Sequence, residues 1–357
     1  MKVAINISPL KTGHKLRGIG YYTENLLNCL KKDRELEILE FTKLSDIKNV
    51  DIVHYPWFDF YFHTLPINKK YKTIVTIHDV IPLIYPLHYP VGMKGKVNFF
   101  MQKIALRNIE AVITDSKTSS EDLIRKLNLK NQKVFYIPLA ADKDFKRFPD
   151  TKYIQIKRKY QLPETFLLYV GDANWVKNLP FLINGFFKLI QKSEFKELKL
   201  ALIGGVFLKN VENIDHSELK SLKEVNRLIK QYKLETKIIR PGSLDKEELI
   251  GFYNLSTVYI QPSIYEGFGL PILQAFSCGI PVIASNAGSL REVGGDAAVY
   301  FDPNNISQFV NTIQEVLINK SLQKKLSDLG LKRSLNFSWE KVARETKQAY
   351  YEVINNI

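Results

Sequence analysis

Short apolar runs rich in β-branched residues alternate with helical stretches along the whole chain. The runs KVAINIS (2–8), DIVHY (51–55), TIVTIHD (73–79), AVITDS (111–116) and KVFYIP (133–138) predict strands in the first part. TFLLYVG (165–171), LKLALIGG (198–205), KIIRPG (237–242), TVYIQPS (257–263), PVIAS (281–285) and AAVYFD (297–302) predict them in the second. Between them lie amphipathic helices such as NLPFLINGFFKLIQKS and DKEELIGFYNLS. Strands that alternate with helices predict an α/β protein whose parallel sheets are covered on both faces.

The rhythm breaks at DKDFKRFPDTKYIQIKRKYQLPET, a charged, proline-flanked stretch. It predicts a linker near 145–163 and two domains, 1–150 and 151–337. Ligands of doubly wound sheets bind outside the carboxyl ends of strands, at the point where the winding reverses. Functional residues are therefore expected just after strands, on both sides of a cleft between the domains.

Composition narrows the classes. The 357 residues are 45% hydrophobic and 25% charged, as in soluble globular proteins. No early run is long and apolar enough for a transmembrane helix, and MKVAINISPL reads as a strand rather than a signal peptide. Cys29 and Cys278 have no CxxC partner, and the six histidines form no HExxH or HxH pair. Neither a disulfide framework nor a metal site is expected, which suits a reducing cytoplasm. The formal charge of +14 leans to the N-terminal half. It fits an anionic partner, either a phosphorylated substrate or an acidic membrane surface, and equally fits solvated lysines. No RNA- or DNA-binding motif accompanies it, so a nucleic-acid partner is not expected.

The stretch PSIYEGFGLPILQAFSCGIPVIAS (262–285) carries the sharpest chemistry. A strand ends, and a loop with Glu266, Gly267, Phe268 and Gly269 follows. Pro271 suits the first turn of a helix and Gly279 its end. The helix N-terminus, near Leu270, offers free N–H groups and a partial positive charge. An anionic leaving group such as a nucleoside diphosphate fits there, with Glu266 facing the hydroxyls attached to it. A glycosidase needs two carboxyls about 5–9.5 Å apart. Eight residues further on stands the amide Gln274, about 12 Å along a helix, which disfavours a two-carboxylate hydrolase.

Residues 262–303 closely resemble the signature of retaining family 4 glycosyltransferases of the GT-B fold. The resemblance implies two Rossmann-like domains facing a cleft and a C-terminal helix, 338–357, crossing back onto the N-terminal domain. It makes 1–150 the acceptor side and 151–337 the nucleotide-sugar side. The family has Glu, seven residues, then Glu. Glu266 matches the first, and Gln274 replaces the second, which holds the nucleotide ribose. RGIGYYTENLL (17–27) resembles the N-terminal glycine loop, so Gly18, Ile19 and Gly20 would approach the donor; Tyr21 stands where Arg is common. TIHDVIPLIYP (76–86) resembles the family's His-Asp stretch, placing His78 near the sugar and Asp79 beside it. YVGDANWVKNLP (169–180) resembles the phosphate-binding segment, with Gly171 after the strand and Lys177 as the cation. Val176 and Asp172 stand where relatives carry Arg, and Arg240 is a further cation without an assigned place. Ser116 would line the acceptor side, and would also serve as a helix N-cap. Glu292 matches a supporting acid.

The resemblance implies transfer of a hexose, with retention, from a nucleoside-diphosphate sugar to an acceptor hydroxyl on a glycan or lipid-linked glycan. His78, Glu266 and Lys177 would be catalytic, with no cofactor and no metal. GDP-mannose is the first expected donor and a UDP-hexose the second. A non-catalytic sugar-nucleotide binder is the other reading that the Gln274 and Val176 departures keep open, and an epimerase shares the fold class but lacks placeable acids and histidines. Two segments outside the motifs also stay open. YPWFDFYFHTLP (55–66) reads as aromatic core or as an acceptor- or lipid-facing loop. VGMKGKVNFFMQKIALRN (91–108) reads as a core-packing helix or as one resting on anionic lipid.

Overall fold

The computed structural model describes residues 1–16, 18–129, 133–212, 214 and 216–355. The chain divides into two compact units. One is Met1–Ala140 together with Phe337–Ile357, and the other is Ala141–Asn336.

The N-terminal unit is built on strands β1 (Lys2–Asn6), β2 (Glu37–Phe41), β3 (Ile52–Tyr55), β4 (Lys72–Thr76), β5 (Ala111–Thr114) and β6 (Lys133–Tyr136). They form one sheet in the order β2-β1-β3-β4-β5-β6, with every pairing parallel. The residues of β3 and β5 are buried throughout, as expected of strands covered on both faces. β2 was not foreseen. Its sequence EILEF keeps Glu37 and Glu40 toward solvent because it lies at the sheet edge, so it lacks the continuous apolar run of the inner strands.

The terminal helix Trp339–Ile354 belongs to this unit, as the resemblance implied. Ser338 caps its start by accepting from the Lys341 N–H (3.1 Å). At its end the Lys72 ammonium donates to the carbonyls of Val353 (3.0 Å) and Ile354 (2.9 Å). Along its buried face the Tyr350 hydroxyl meets His54 Nδ1 at 2.7 Å. The other ring nitrogen of His54 meets the Thr76 hydroxyl (2.8 Å), which in turn meets that of Tyr22 (3.1 Å). Burial, aided by the charge of His78, pushes the His54 pKa down to about 3, so this polar line is neutral.

The aromatic stretch 55–66 resolves largely into core. Phe58 and Phe60 are buried edge-to-face, and Phe60 also packs on Phe99 of the helix Met93–Arg107. Its polar groups are paired locally. Gln102 donates to the Asp59 carbonyl and to the Thr64 hydroxyl. Phe62 alone of its phenylalanines is exposed.

The C-terminal unit repeats the plan with β7 (Phe166–Val170), β8 (Lys199–Ile203), β9 (Ile238–Gly242), β10 (Val258–Gln261), β11 (Val282–Ser285) and β12 (Ala298–Phe301). The order is β12-β11-β10-β7-β8-β9, again parallel throughout. Its core joins the strands to Leu182, Phe186, Phe309 and Ile313 of the covering helices. The helices Leu179–Ile190 and Ile306–Ile318 approach closely at Gly185, where an added Cβ would lie 2.4 Å from the Phe309 ring.

The segment expected as a linker is packed here. Tyr153 is buried, the Phe148 N–H donates to Asn254 Oδ1 (2.7 Å), and Ile156 and Tyr153 cover Gly251. Among the described residues, no helix is long and apolar enough to cross a membrane.

Candidate active site

In the C-terminal unit the winding reverses between β7 and β10. The chain lays β8 and β9 outward on one side of β7, then returns to lay β10, β11 and β12 on the other. Loops leaving β7 and β10 must part there, which opens a crevice at their carboxyl ends. Lys177 follows β7 and Glu266 follows β10. One backbone bond ties the two loops, from the Ile264 N–H to the Val176 carbonyl (2.7 Å).

That bond brings the two sequence candidates together. The Lys177 ammonium donates to both carboxylate oxygens of Glu266, each at 2.9 Å. Oε1 accepts two further bonds, from Gln261 Nε2 (2.7 Å) and from the Ser263 hydroxyl (2.6 Å). Gln261 is itself oriented by the Tyr259 hydroxyl, which donates to its Oε1. Burial, and then the charge of Glu266, hold the Tyr259 pKa far above the ordinary value, so the phenol keeps its proton and remains a donor. Glu266 is buried, and a buried carboxylate is tolerated only when paired and hydrogen-bonded. With donors on both oxygens, it is arranged as an acceptor.

The backbone around Glu266 is pinned as tightly. The Ser289 hydroxyl donates to the carbonyls of Glu266 (3.0 Å) and Phe268 (2.8 Å). Gly288 has φ +57, and a Cβ there would lie 2.8 Å from the Glu266 nitrogen. Gly269, at φ +104, turns the chain into the helix Leu270–Ser277. The first-turn N–H groups of that helix lie next in the chain after Gly267 and Phe268, which gives the loop a positive end.

The remaining candidates take definite places. Gly171 closes β7 by donating its N–H to the Ile203 carbonyl, and the Gly171 carbonyl passes so close to Gly204 that a Cβ on Gly204 would lie 2.2 Å from it. Gln274 is buried, and its Oε1 accepts from the Tyr253 hydroxyl (3.0 Å). Val176 has its side chain wholly buried. Asp172 binds Asn174 through both carboxylate oxygens. Arg240 donates to Asn226 (3.2 Å) and lines a cavity of about 640 Å3 with Lys209, Lys230 and Glu212, beside the edge strand β9. The carbonyl of Glu292 accepts from Arg333 (2.7 Å).

In the N-terminal unit His78 lies two residues past β4, and Asp115 directly follows the neighbouring β5. His78 Nδ1 meets Asp115 Oδ2 at 2.8 Å, and the Tyr22 ring stands edge-on to the imidazole at 4.8 Å. Asp115 Oδ1 is buried and has no hydrogen-bond partner among the described residues. Burial alone would lower the His78 pKa. The charge of Asp115, the hydrogen bond to it and the charge of Asp79 outweigh that, and the net shift is upward.

Asp79 accepts from the Ile81 N–H (3.0 Å) and so starts the short helix Ile81–Ile84. Ser116 caps the helix Lys117–Leu127 through the Ser119 N–H (3.0 Å). The expected glycine loop is corrected in one respect. Gly18, Ile19 and Gly20 form the first turn of the helix Gly18–Leu30 rather than a loop before it, and Arg17 lies outside the described residues. A cavity of about 300 Å3 opens where this sheet reverses, between β1 and β3, lined by Asn6, Ser8, Thr42, Trp57, His63 and Thr64.

Residues 152–333, about half the chain, match the family described as glycosyl transferases group 1, and residues 17–145 match glycosyltransferase family 4. The chain belongs to the group 1, family 4 glycosyltransferases. Among relatives, the chain is 29% identical over 290 residues to the serotype-specific mannosyltransferase WbdA of Escherichia coli, covering 80% of this chain and 34% of that protein. The chain thus spans about a third of the length of that relative. It is 29% identical over 282 residues to the O-antigen chain mannosyltransferase B of Escherichia coli, covering 78% of this chain and 70% of the other. Its fold is that of sucrose-phosphate synthase from Thermosynechococcus elongatus, with a TM-score of 0.75 at 18% identity and full coverage of both chains. The Anabaena protein HepE, solved with UDP-glucose, matches with a TM-score of 0.72 at 14% identity, covering 99% of this chain and 100% of that one. The GT-B fold expected from the sequence is therefore the fold of this chain.

Three partners escaped sequence reasoning. Gln261 and Ser263 sit in TVYIQPS, where polar residues at the carboxyl end of an apolar strand were the available signal. Asp115 sits in AVITDS, one residue before the candidate Ser116.

Two outcomes follow from this geometry. Lys177→Ala leaves Glu266 buried without its cation, at a cost on the order of 3 kcal/mol. The melting temperature should fall by roughly 6–12 °C. Adding Glu266→Gln should recover about half of that loss, because a neutral amide needs no counter-charge. An unchanged melting temperature in Lys177→Ala would contradict the pairing.

The second outcome concerns His78. Its imidazole should titrate above the ordinary value of about 6.5, and lower in Asp115→Asn, as read from its ring proton shifts by NMR. A raised folded-state pKa stabilises at low pH, and that contribution is lost as pH rises through the folded value. The stability gap between wild type and Asp115→Asn should therefore narrow as pH rises through that value. Equal midpoints in the two proteins would rule out Asp115 as the cause.

Proposed function

We propose that this glycosyltransferase moves a hexose from a nucleoside-diphosphate sugar to an acceptor hydroxyl, with retention at the anomeric carbon and without a metal ion. The observation that carries the reading is the Lys177–Glu266 pair at the winding reversal, beside the N-terminus of the Leu270–Ser277 helix. A departing diphosphate needs positive charge at the leaving oxygen, and Lys177 and the helix N-terminus supply it. Glu266, arranged as an acceptor, would bind sugar hydroxyls rather than donate a proton. His78, held by Asp115, would orient the sugar or its acceptor. The cavity with Trp57 in the N-terminal unit is the place we assign to the acceptor glycan.

Mannose from GDP-mannose is the first donor, supported by the mannosyltransferase names of the relatives. A UDP-hexose is the alternative donor. The acceptor would be a glycan or lipid-linked glycan, reached at the cytoplasmic side of a membrane. Gln274 favours a second reading, a binder without turnover. Its carbonyl is taken by Tyr253, so only its amide N–H groups would meet a ribose hydroxyl, where a carboxylate would accept.

Incubating the full chain with GDP-mannose or UDP-glucose and methyl α-mannoside, with EDTA present, tests the reading. Release of GDP and an α-linked product by NMR are the expected results. A β-linked product would overturn retention, and abolition by EDTA would overturn metal independence. GDP binding without release from either donor would leave the non-catalytic reading.

A further inference from the structure

The helix Met93–Arg107 has two unlike faces. Its inner face is satisfied: Gln102, Ala105 and Leu106 are buried, and Phe99 packs on Phe60 and Tyr61. Its outer face is apolar and exposed. Met93, Val97 and Phe100 are 75%, 57% and 64% exposed. They recur at the spacing of one helix stripe. At about 100° per residue, Phe100, Met93, Ile104, Val97 and Met101 share an arc of roughly 100°.

Charge frames that arc. Lys96, Lys103 and Arg107 lie along one border and Lys94 along the other, and the helix sequence MKGKVNFFMQKIALR contains no acid. Two exposed apolar side chains lie in the turns before the helix in sequence. Leu87, ahead of the helix, is 91% exposed. Phe62 is 67% exposed at a turn held by Asp59, whose Oδ1 accepts from the N–H groups of Tyr61 and Phe62. That turn is anchored to the helix by Asn98 Nδ2, which donates to the Tyr61 carbonyl (2.8 Å).

A protein core would not leave three large apolar side chains in water on one stripe, so the core-packing reading of 91–108 holds only for the inner face. An apolar arc bordered by cations, with no acid, is the charge pattern of a helix lying in the plane of an anionic bilayer. The apolar side chains enter the acyl boundary, and the lysine and arginine stems reach up to the phosphates. The chain's net charge of +14 acts in the same direction. We infer that the Met93–Arg107 helix, with Phe62, is a docking surface for a membrane rich in anionic lipid. The inference goes beyond the donor reading and does not depend on it, since vesicle binding needs no nucleotide.

The test is co-sedimentation of the full chain with phosphatidylcholine vesicles with and without phosphatidylglycerol. Wild type should sediment with the anionic vesicles, little with phosphatidylcholine alone, and less as salt is raised. The variant Met93→Ser/Val97→Ser/Phe100→Ser should bind at least about tenfold more weakly. The variant Lys96→Gln/Lys103→Gln keeps every buried side chain and should also bind more weakly, which guards against misfolding as the cause. Failure of wild type to bind, equal binding to both vesicle types, or wild-type binding by both variants would overturn the inference. So would light scattering that shows a dimer dissociated by the serine variant, because the face would then belong to a second copy of the chain.

Discussion

The ion pair between Lys177 and Glu266 is the constraint around which the C-terminal unit's working face is arranged. Two charges in a largely buried place cost several kcal/mol in lost hydration unless each is answered. The answers come from separate parts of the sheet. The Ile264–Val176 backbone bond sets the two loops in register. Gln261 and Ser263, rising from β10, saturate one carboxylate oxygen. Gly288 admits the facing loop against the Glu266 backbone, and Ser289 locks that loop by two hydrogen bonds. A group held this firmly is ordered before any ligand arrives, which is what electrostatic stabilisation of a leaving group requires.

The N-terminal unit handles its buried polar groups in two ways. His54 sits in a neutral line of hydroxyls that ends on Tyr350 of the terminal helix, and burial keeps it unprotonated. His78 faces a carboxylate, and its pKa moves the other way. The contrast follows from partners rather than depth. Hydroxyls leave an imidazole neutral, whereas Asp115 favours the cation. Tyr22 touches both systems, by its hydroxyl to Thr76 and by its ring to His78. The returning helix is thereby part of the packing that surrounds the His78–Asp115 pair.

Much of this was legible in the chain because buried parallel strands announce themselves. Each of the expected runs became a strand, shorter by a residue or more. β2 was missed because an edge strand keeps its glutamates in water. Glu266, Lys177 and His78 could be named because they follow strands and sit in motifs that resemble a family. Their partners could not. That Asp115 meets His78, or that Gln261 meets Glu266, depends on which strands lie side by side, and hydrophobic pattern does not state sheet order. Val176 shows the same limit from the other side. Its departure from the family's arginine looked like a lost ligand contact, yet its side chain is packed in the core. The two faces of the Met93–Arg107 helix were equally undecidable until burial assigned one of them to solvent.

The central claim is that the Lys177–Glu266 site seats the diphosphate of a sugar nucleotide. Calorimetric titration of GDP, UDP and their monophosphates into wild type and Lys177→Gln measures it directly. A diphosphate should bind wild type, its monophosphate more weakly, and Lys177→Gln should lose about tenfold or more in diphosphate affinity, some 1.4 kcal/mol, while narrowing the gap between di- and monophosphate. Diphosphate binding that is undiminished in a folded Lys177→Gln protein would contradict the account.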